Sequence, residues 1–289
     1  MDEDAFSSLK VVIVGLGLMG GSLAVGLKNT GQCVLAIDPD RNTCEYALKH
    51  KIVDRVSKDP SGFIAEADVI ILSAPVDAIL SFIPSLPDLH PGSPILIDLG
   101  STKRQICQAY DQLPKRFQAV GGHPMCGKEV SGLSNADPSI FMGSVFALSP
   151  CKATTVLAKR FAEWLSTLLG ANPLWLSPDV HDRWVAATSH LPYLVSSALT
   201  LITPLEVSKL VGPGFVSVSR LASSHPDMMR PVLESNRNNI LEALTYFREQ
   251  LDEIESELRS GEGSRLASIL GEARKRRRSL TTPRGEDKS

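Results

Sequence analysis

The chain has 289 residues, 43% hydrophobic and 21% charged, with 30 basic against 32 acidic side chains and a formal net charge of −2. That length suits about two domains of ~100–200 residues, the apolar content excludes a disordered chain, and the balanced charge excludes the basic surplus of a nucleic-acid binder. Five cysteines, at 33, 44, 107, 126 and 151, form no CxxC pair, which argues against a disulfide framework or a metal site and for reduced thiols in a cytoplasmic compartment.

From Val11 to Leu27 the only polar side chain is Ser22, so this run resembles a membrane anchor. Its five glycines, however, and the acidic leader Asp2-Glu3-Asp4 speak against a signal sequence or a spanning helix. No membrane contact is expected. The predicted strands begin with Val11-Val12-Ile13-Val14 and Val34-Leu35-Ala36-Ile37. Val69-Ile70-Ile71-Leu72 and Ile95-Leu96-Ile97-Asp98 follow, and shorter candidates lie at Ala119-Val120, Val145–Leu148 and Leu174–Leu176. Helix-like stretches separate them, the signature of βαβ units in a sheet buried on both faces. Residues 1–177 therefore read as a doubly wound α/β domain.

At Ser177-Pro178-Asp179 the texture changes, with an N-cap signal and a proline at the first helical position. A helical pattern runs from Val180 to Ala198 across Pro192, and another from Leu241 to Leu258 with apolar residues at 241, 244, 247, 251, 254 and 258. Residues 178–273 thus read as an all-α domain. The apolar surface of these helices, large for so small a domain, points to a homodimer. From 274 to 289 the chain is basic and is expected to be a disordered tail.

Gly15-Leu16-Gly17-Leu18-Met19-Gly20 fits G-x-G-x-x-G directly after a predicted strand and at the start of a helix. Gly15 permits the turn, Gly17 lets the backbone approach a pyrophosphate, and Gly20 allows close packing of helix on strand. The helix N-terminus then offers N–H groups to the phosphates, and residues 1–177 read as an α/β Rossmann-type dinucleotide-binding domain. Asp38, eighteen residues after Gly20, ends the second strand. A carboxylate there accepts from the ribose 2′-OH and repels a 2′-phosphate, which favours NAD over NADP. Arg41 is the residue that would favour NADP instead. Ser73 and Pro75, after the Val69–Leu72 strand, join the candidate cofactor set.

Oxidation by a dinucleotide needs a group that handles a proton. Of six histidines, His50 and His90 read as surface residues. His123, in Gly121-Gly122-His123-Pro124-Met125-Cys126-Gly127, follows a predicted strand, where ligands of open α/β sheets bind. Asp98-Leu99-Gly100-Ser101-Thr102-Lys103 occupies the same kind of position, and Ser101 there is either functional or a plain helix cap. His190 lies within the long helix of the second half. Arg220, one arginine among many, is open to a surface ion-pair reading.

Taken together these segments resemble the prephenate/arogenate dehydrogenase family of tyrosine biosynthesis, in its short form without regulatory or mutase domains. The resemblance adds Gly21-Ser22, Glu129, Ser131-Gly132, His181-Asp182 and Ser189-His190-Leu191-Pro192, and it spans about residues 10 to 240 in the family's order. It implies NAD or NADP as cofactor, prephenate or arogenate as the small-molecule substrate, and a homodimer, with residues 178–273 as the dimerisation and substrate domain. His123 resembles the catalytic base, Ser101 the hydroxyl bonded to that base and to the substrate's ring hydroxyl, and His190 and Arg220 the groups that hold substrate carboxylates. The sequence departs from the family pattern at Cys126, at Val216-Ser217 and at Tyr193. Two competing readings are a β-hydroxyacid-type dehydrogenase and a dinucleotide-sensing protein without turnover. The first expects a helix-borne lysine, and Lys209 beside Pro213 is poorly placed for it. The second requires no Ser/His/His/Arg set.

Overall fold

Every β-branched run of the first half becomes a strand of one eight-stranded sheet. The computed structural model describes Phe6 and residues 8–128, 130–261 and 263–281. Glu129, the acidic leader Asp2-Glu3-Asp4 and the tail beyond Thr281 lie outside the described residues. The strands are β1 (Lys10–Val14), β2 (Cys33–Ile37), β3 (Arg55–Ser57), β4 (Val69–Leu72), β5 (Ile95–Asp98), β6 (Gln118–Pro124), β7 (Val145–Pro150) and β8 (Asn172–Trp175), in the order β3-β2-β1-β4-β5-β6-β7-β8. Pairing is parallel from β3 through β6, antiparallel between β6 and β7, and parallel between β7 and β8.

Side chains alternate across the sheet with the strand period of two. Val11, Ile13, Val69 and Ile71 enter one core, while Val12, Ile70 and Leu72 enter the other. Both faces are covered, so the strands can be apolar at every position. The helices of this half are α1 (Leu18–Asn29), α2 (Arg41–Lys49), α3 (Ser61–Ala65), α4 (Val76–Phe82), α5 (Leu86–Leu89), α6 (Arg104–Tyr110) and α7 (Val156–Leu168). The Val11–Leu27 run is therefore a strand, a glycine turn and a buried helix.

Two features escaped the sequence. Strand β3 is three residues long, with no apolar run to announce it, and forms the sheet edge beside β2. Strand β7 runs against β6, because the chain between them forms only short 3₁₀ turns and no crossover helix; a parallel neighbour would need such a crossover.

After β8 the described chain is helical: α8 (Pro178–Val185), α9 (Leu191–Ile202), α10 (Pro213–Ser219), α11 (Pro226–Ser235), α12 (Arg237–Ser260) and α13 (Ser264–Thr281). The Ser177 side chain caps α8 by accepting from the Val180 amide at 3.4 Å. Between α8 and α9 the residues Ala186–His190 form a π-helical turn. This turn explains how Pro192 sits inside a continuous run. Proline lacks an N–H and crowds the preceding turn of an α-helix, and here it falls in the first turn of α9, just after the ladder has changed register. The run Pro178–Ile202 is long and apolar enough by composition to cross a membrane, which the sequence reading did not single out. It buries His181, Asp182 and His190 within the protein.

Residues to Ile240 form one compact unit, and those from Leu241 form a second. In the second unit Arg265 pairs with Glu253 at 2.7 Å, joining α13 to α12. Helix α13 runs on to Thr281, so the basic segment from Arg274 to Thr281 is helical where a disordered tail was expected. Alternate charges one turn apart support it, as in the Arg276–Glu272 pair at 3.0 Å.

Candidate active site

Strands β1, β2, β4, β5 and β6 all end at the same edge of the sheet, and the order reverses between β1 and β4. A crevice at such a reversal is where doubly wound sheets take their ligands. Gly15–Gly20, Asp38, Ser73–Pro75, Ser101 and His123 all lie at or just past these strand ends.

The glycine turn is held from below. Gly15 has φ +99°, and a Cβ built on it would lie 2.2 Å from the Ser73 carbonyl oxygen, so no side chain fits. At Gly20 a Cβ would lie 2.0 Å from the Gly15 oxygen. Ser73 is thus the floor of the turn, and Pro75 is exposed as the residue that enters α4. Gly17 faces the other way. It is exposed, a Cβ there would meet nothing within 4 Å, and no side chain caps α1. The first N–H groups of α1 are therefore open to an anion, as a dinucleotide pyrophosphate requires. Asp38 is buried, and its two oxygens accept from the Leu16 amide at 2.8 Å and the Asp40 amide at 2.9 Å. Each oxygen keeps a lone pair for a ribose hydroxyl. Arg41 is turned to Glu45 at 2.8 Å.

His123 stands near the end of β6, half-buried, with Nδ1 at 2.9 Å from His181 Nε2. His181 Nδ1 lies 2.8 Å from Asp182 Oδ1. Asp182 also accepts the Lys103 amide at 2.7 Å and the Arg104 amide at 3.0 Å, capping α6 from a distant part of the chain. Burial opposes ionisation of Asp182, but the bonds from His181 and the two amides prevail and hold its carboxyl below the usual range. A carboxylate can only accept. His181 therefore carries its proton on Nδ1 and presents a lone pair at Nε2. His123 must then donate from Nδ1, which leaves its own Nε2 as a free acceptor. Burial pushes the His123 imidazole well below its ordinary value, and the nearby His181, Lys103 and His190 push it further the same way.

His190 is fully buried at the end of the π-helical turn, with Nδ1 at 3.1 Å from Asn236 Nδ2. Its pKa is pushed down to about 4, by burial first, against the pull of Asp182 and with help from His181. The resemblance makes this residue a holder of carboxylates, and at neutral pH the buried ring is uncharged.

Beneath His123 lies a buried ion pair. Lys103 Nζ contacts Asp98 Oδ2 and donates to the Gly122 carbonyl at 2.5 Å. Asp98 also accepts from the Gly100 amide at 3.0 Å and the Gly122 amide at 3.3 Å. A buried pair persists only when its remaining valences are satisfied. Here backbone amides and the Gly122 carbonyl supply such partners, and they tie the loop after β5 to the residue just before His123. Thr102, bonded to Ser235 Oγ at 2.9 Å, carries the tie on to α11.

Ser101 is half-buried, and among the described residues it makes no hydrogen bond to His123 and does not cap α6, which Asp182 caps instead. Arg220 is exposed at the start of the turn Arg220–Ser223. His90, read as a surface residue, is buried, with Nε2 2.9 Å from the Ala67 carbonyl oxygen. Sequence reasoning gave no role to His181-Asp182 and did not notice Asn236. The resemblance marked His181-Asp182 in the sequence, but the role of each is recognisable only once α8, the π-helical turn and the end of α11 are brought together.

Comparison with known proteins agrees with this geometry. The model of the prephenate dehydrogenase nucleotide-binding domain matches residues 23–171, and that of the prephenate dehydrogenase dimerization domain matches residues 177–272. A prephenate dehydrogenase of Bacillus subtilis (strain 168) is 33% identical over 258 residues, covering 84% of this chain and 68% of the relative. The structure of prephenate dehydrogenase from A. aeolicus, solved with hydroxyphenyl propionate and NAD+, superposes with a TM-score of 0.88 at 27% identity, covering 96% of this chain and 99% of that one. Synechocystis arogenate dehydrogenase superposes with a TM-score of 0.80 at 26% identity, covering 94% of this chain and 100% of that one. The glycine cradle and the buried histidines thus stand in a chain that belongs to the prephenate dehydrogenase family, the NAD(P)-dependent oxidoreductases of tyrosine biosynthesis.

Proposed function

We propose that this chain oxidatively decarboxylates prephenate or arogenate, with NAD as the preferred hydride acceptor, as a cytoplasmic homodimer. The observation that carries this reading is the chain His123–His181–Asp182, set on the same strand edge as the dinucleotide cradle. When bound, the dinucleotide supplies the hydride acceptor. His123 Nε2 takes the proton of the substrate's C4 hydroxyl as hydride leaves C4. The positive charge that develops on His123 is met through its Nδ1–H bond to His181 and, beyond it, by the Asp182 carboxylate. The C–C bond to the ring carboxylate breaks, its electron pair enters the ring, and carbon dioxide leaves; aromatisation makes this loss favourable. Ser101 bonds the ring hydroxyl, His190 Nε2–H donates to one substrate carboxylate, and Arg220 offers its bidentate fork to another.

Asp38 supports NAD, because its buried carboxylate is fixed by two amides where a 2′-phosphate would have to sit. Arg41, paired with Glu45, leaves that charge unopposed. A homodimer is supported by the match to a dimerization domain and by large apolar side chains on α9 and the turn after it, where Leu201 and Leu205 are 85% and 91% exposed in the single protomer. Steady-state rates with each substrate and each cofactor test the reading. Turnover of prephenate, arogenate or both, with NAD giving the higher kcat/KM, is expected. No turnover of either would overturn the activity, and a tenfold preference for NADP would overturn the cofactor assignment.

A further inference from the structure

Asn236, the residue that ends α11, is buried at the meeting of three elements. Its Nδ2 donates to the backbone carbonyl of Asp182 at 2.6 Å and faces His190 Nδ1 at 3.1 Å. Its Oδ1 accepts from Asn239 Nδ2 at 2.7 Å. These contacts leave the amide one orientation. Rotated by half a turn, Oδ1 would face the Asp182 carbonyl oxygen, two acceptors at hydrogen-bond distance, and Nδ2 would face the Asn239 donor. Both Nδ2 protons therefore point at acceptors, and one of those acceptors is His190 Nδ1.

From this geometry we infer that Asn236 is a positioning residue that holds His190 as the Nε2–H tautomer, so that its outward nitrogen is a permanent neutral donor to the substrate. A proton on Nδ1 would collide with the Asn236 N–H, so both the other neutral tautomer and the imidazolium are disfavoured. Among the described residues the charged and titratable groups near the ring are Asp182 and His181, whose effects on it oppose one another, and His123, which the ring in turn affects. The same amide nitrogen ties down the backbone of Asp182, whose side chain anchors the chain to His123. One asparagine thus sets a donor for the substrate and steadies the segment that sets the base. A neutral donor also suits a site that must release its product, since it binds a carboxylate less tightly than a buried cation does.

The inference rests on the proposed contact between His190 and substrate, and two independent readouts separate them. The first is NMR of the full-length protein with ¹⁵N-labelled histidine rings, His190 being assigned by its absence from the spectrum of His190→Ala. Wild-type His190 is expected to be neutral with its proton on Nε2 at neutral pH. In Asn236→Asp the new carboxylate accepts from Nδ1–H, and the ring is expected to move to the Nδ1–H form, with its lone pair on Nε2. A residue with a merely structural role would leave the tautomer unchanged. A wild-type ring protonated on Nδ1, or an unchanged ring in Asn236→Asp, would overturn the assignment; if that variant does not fold, the wild-type spectrum alone decides. The second readout is kinetic. Loss of the Nε2–H donor to a charged group raises KM for prephenate by ~10–100-fold in Asn236→Asp, with the KM for NAD unmoved. Unchanged prephenate KM in His190→Ala would overturn the substrate contact while leaving the tautomer result standing.

Discussion

The dinucleotide cradle and the histidine cluster share one edge of the sheet and are built by opposite means. The cradle is almost continuous in sequence. Six residues from Gly15 to Gly20 supply backbone N–H groups and empty space, and Asp38 and Ser73 close it from neighbouring strands. The cluster is made of side chains from β6, α8, the π-helical turn and the end of α11, each fixed by a hydrogen bond to another. Backbone sites depend on what is absent, so they fail when atoms are added. Side-chain sites depend on a chain of donors and acceptors, so they fail when one link is removed.

The largest effect is expected at the functional end of the cluster. His123→Asn removes the acceptor and should lower kcat by ~10²–10⁴ with little change in KM, measured at saturating cofactor. Near-normal kcat in a folded variant would remove His123 as the base. Arg220→Ala tests whether an exposed residue belongs to the same site. It should chiefly raise the substrate KM, by the ~1.5–3 kcal/mol of a charge-assisted hydrogen bond, whereas a surface ion pair would cost ~0–1 kcal/mol of stability and nothing kinetically.

In the cradle the expected failure has the other character. Gly15→Ala must accommodate a Cβ against the Ser73 carbonyl at positive φ, so ~1–3 kcal/mol of strain should appear as a lower Tm and weaker NAD binding. Calorimetry and NAD titration read the two, and a variant indistinguishable from wild type in both would contradict the steric account. The smallest effect is expected at Arg41. Its side chain is exposed and paired within α2, so Arg41→Ala should change the ratio of kcat/KM for NAD and NADP by less than about threefold, within the ~0–1 kcal/mol of a surface pair. A large shift toward NAD would show that Arg41 recruits NADP.

The same contrast explains what the sequence disclosed. The cradle was legible because its physics is local: a strand, three glycines at fixed spacing, a helix and an acid at the next strand end. The four apolar strands were legible because a sheet covered on both faces needs no polar alternation. Edge strand β3 was not, since an edge needs few apolar residues, and the reversal at β7 depended on the length and texture of a loop. Of the cluster, His123 was legible from its place at a strand end. The resemblance marked His181-Asp182, but their role depends on a distance of 2.9 Å between residues 58 apart in sequence. Asn236 had no signal at all, because an asparagine after a helix is usually a cap, and only the fold turns it toward His190. The basic run after Glu272 illustrates the converse: its composition suggested disorder, while its spacing of charges supports a helix to Thr281.

The central claim is that Asp182 and His181 leave His123 neutral with a free Nε2, and the pH profile of kcat tests it most directly. A base must be unprotonated to act, and His123 is held well below the ordinary histidine value. Activity should therefore be flat through neutral pH and fall only when the pH drops well below ~6.5, the unperturbed value, and that acid limb should vanish from the residual activity of His123→Asn. An acid limb that survives in His123→Asn, or a wild-type profile already falling above pH ~6.5, would contradict the account.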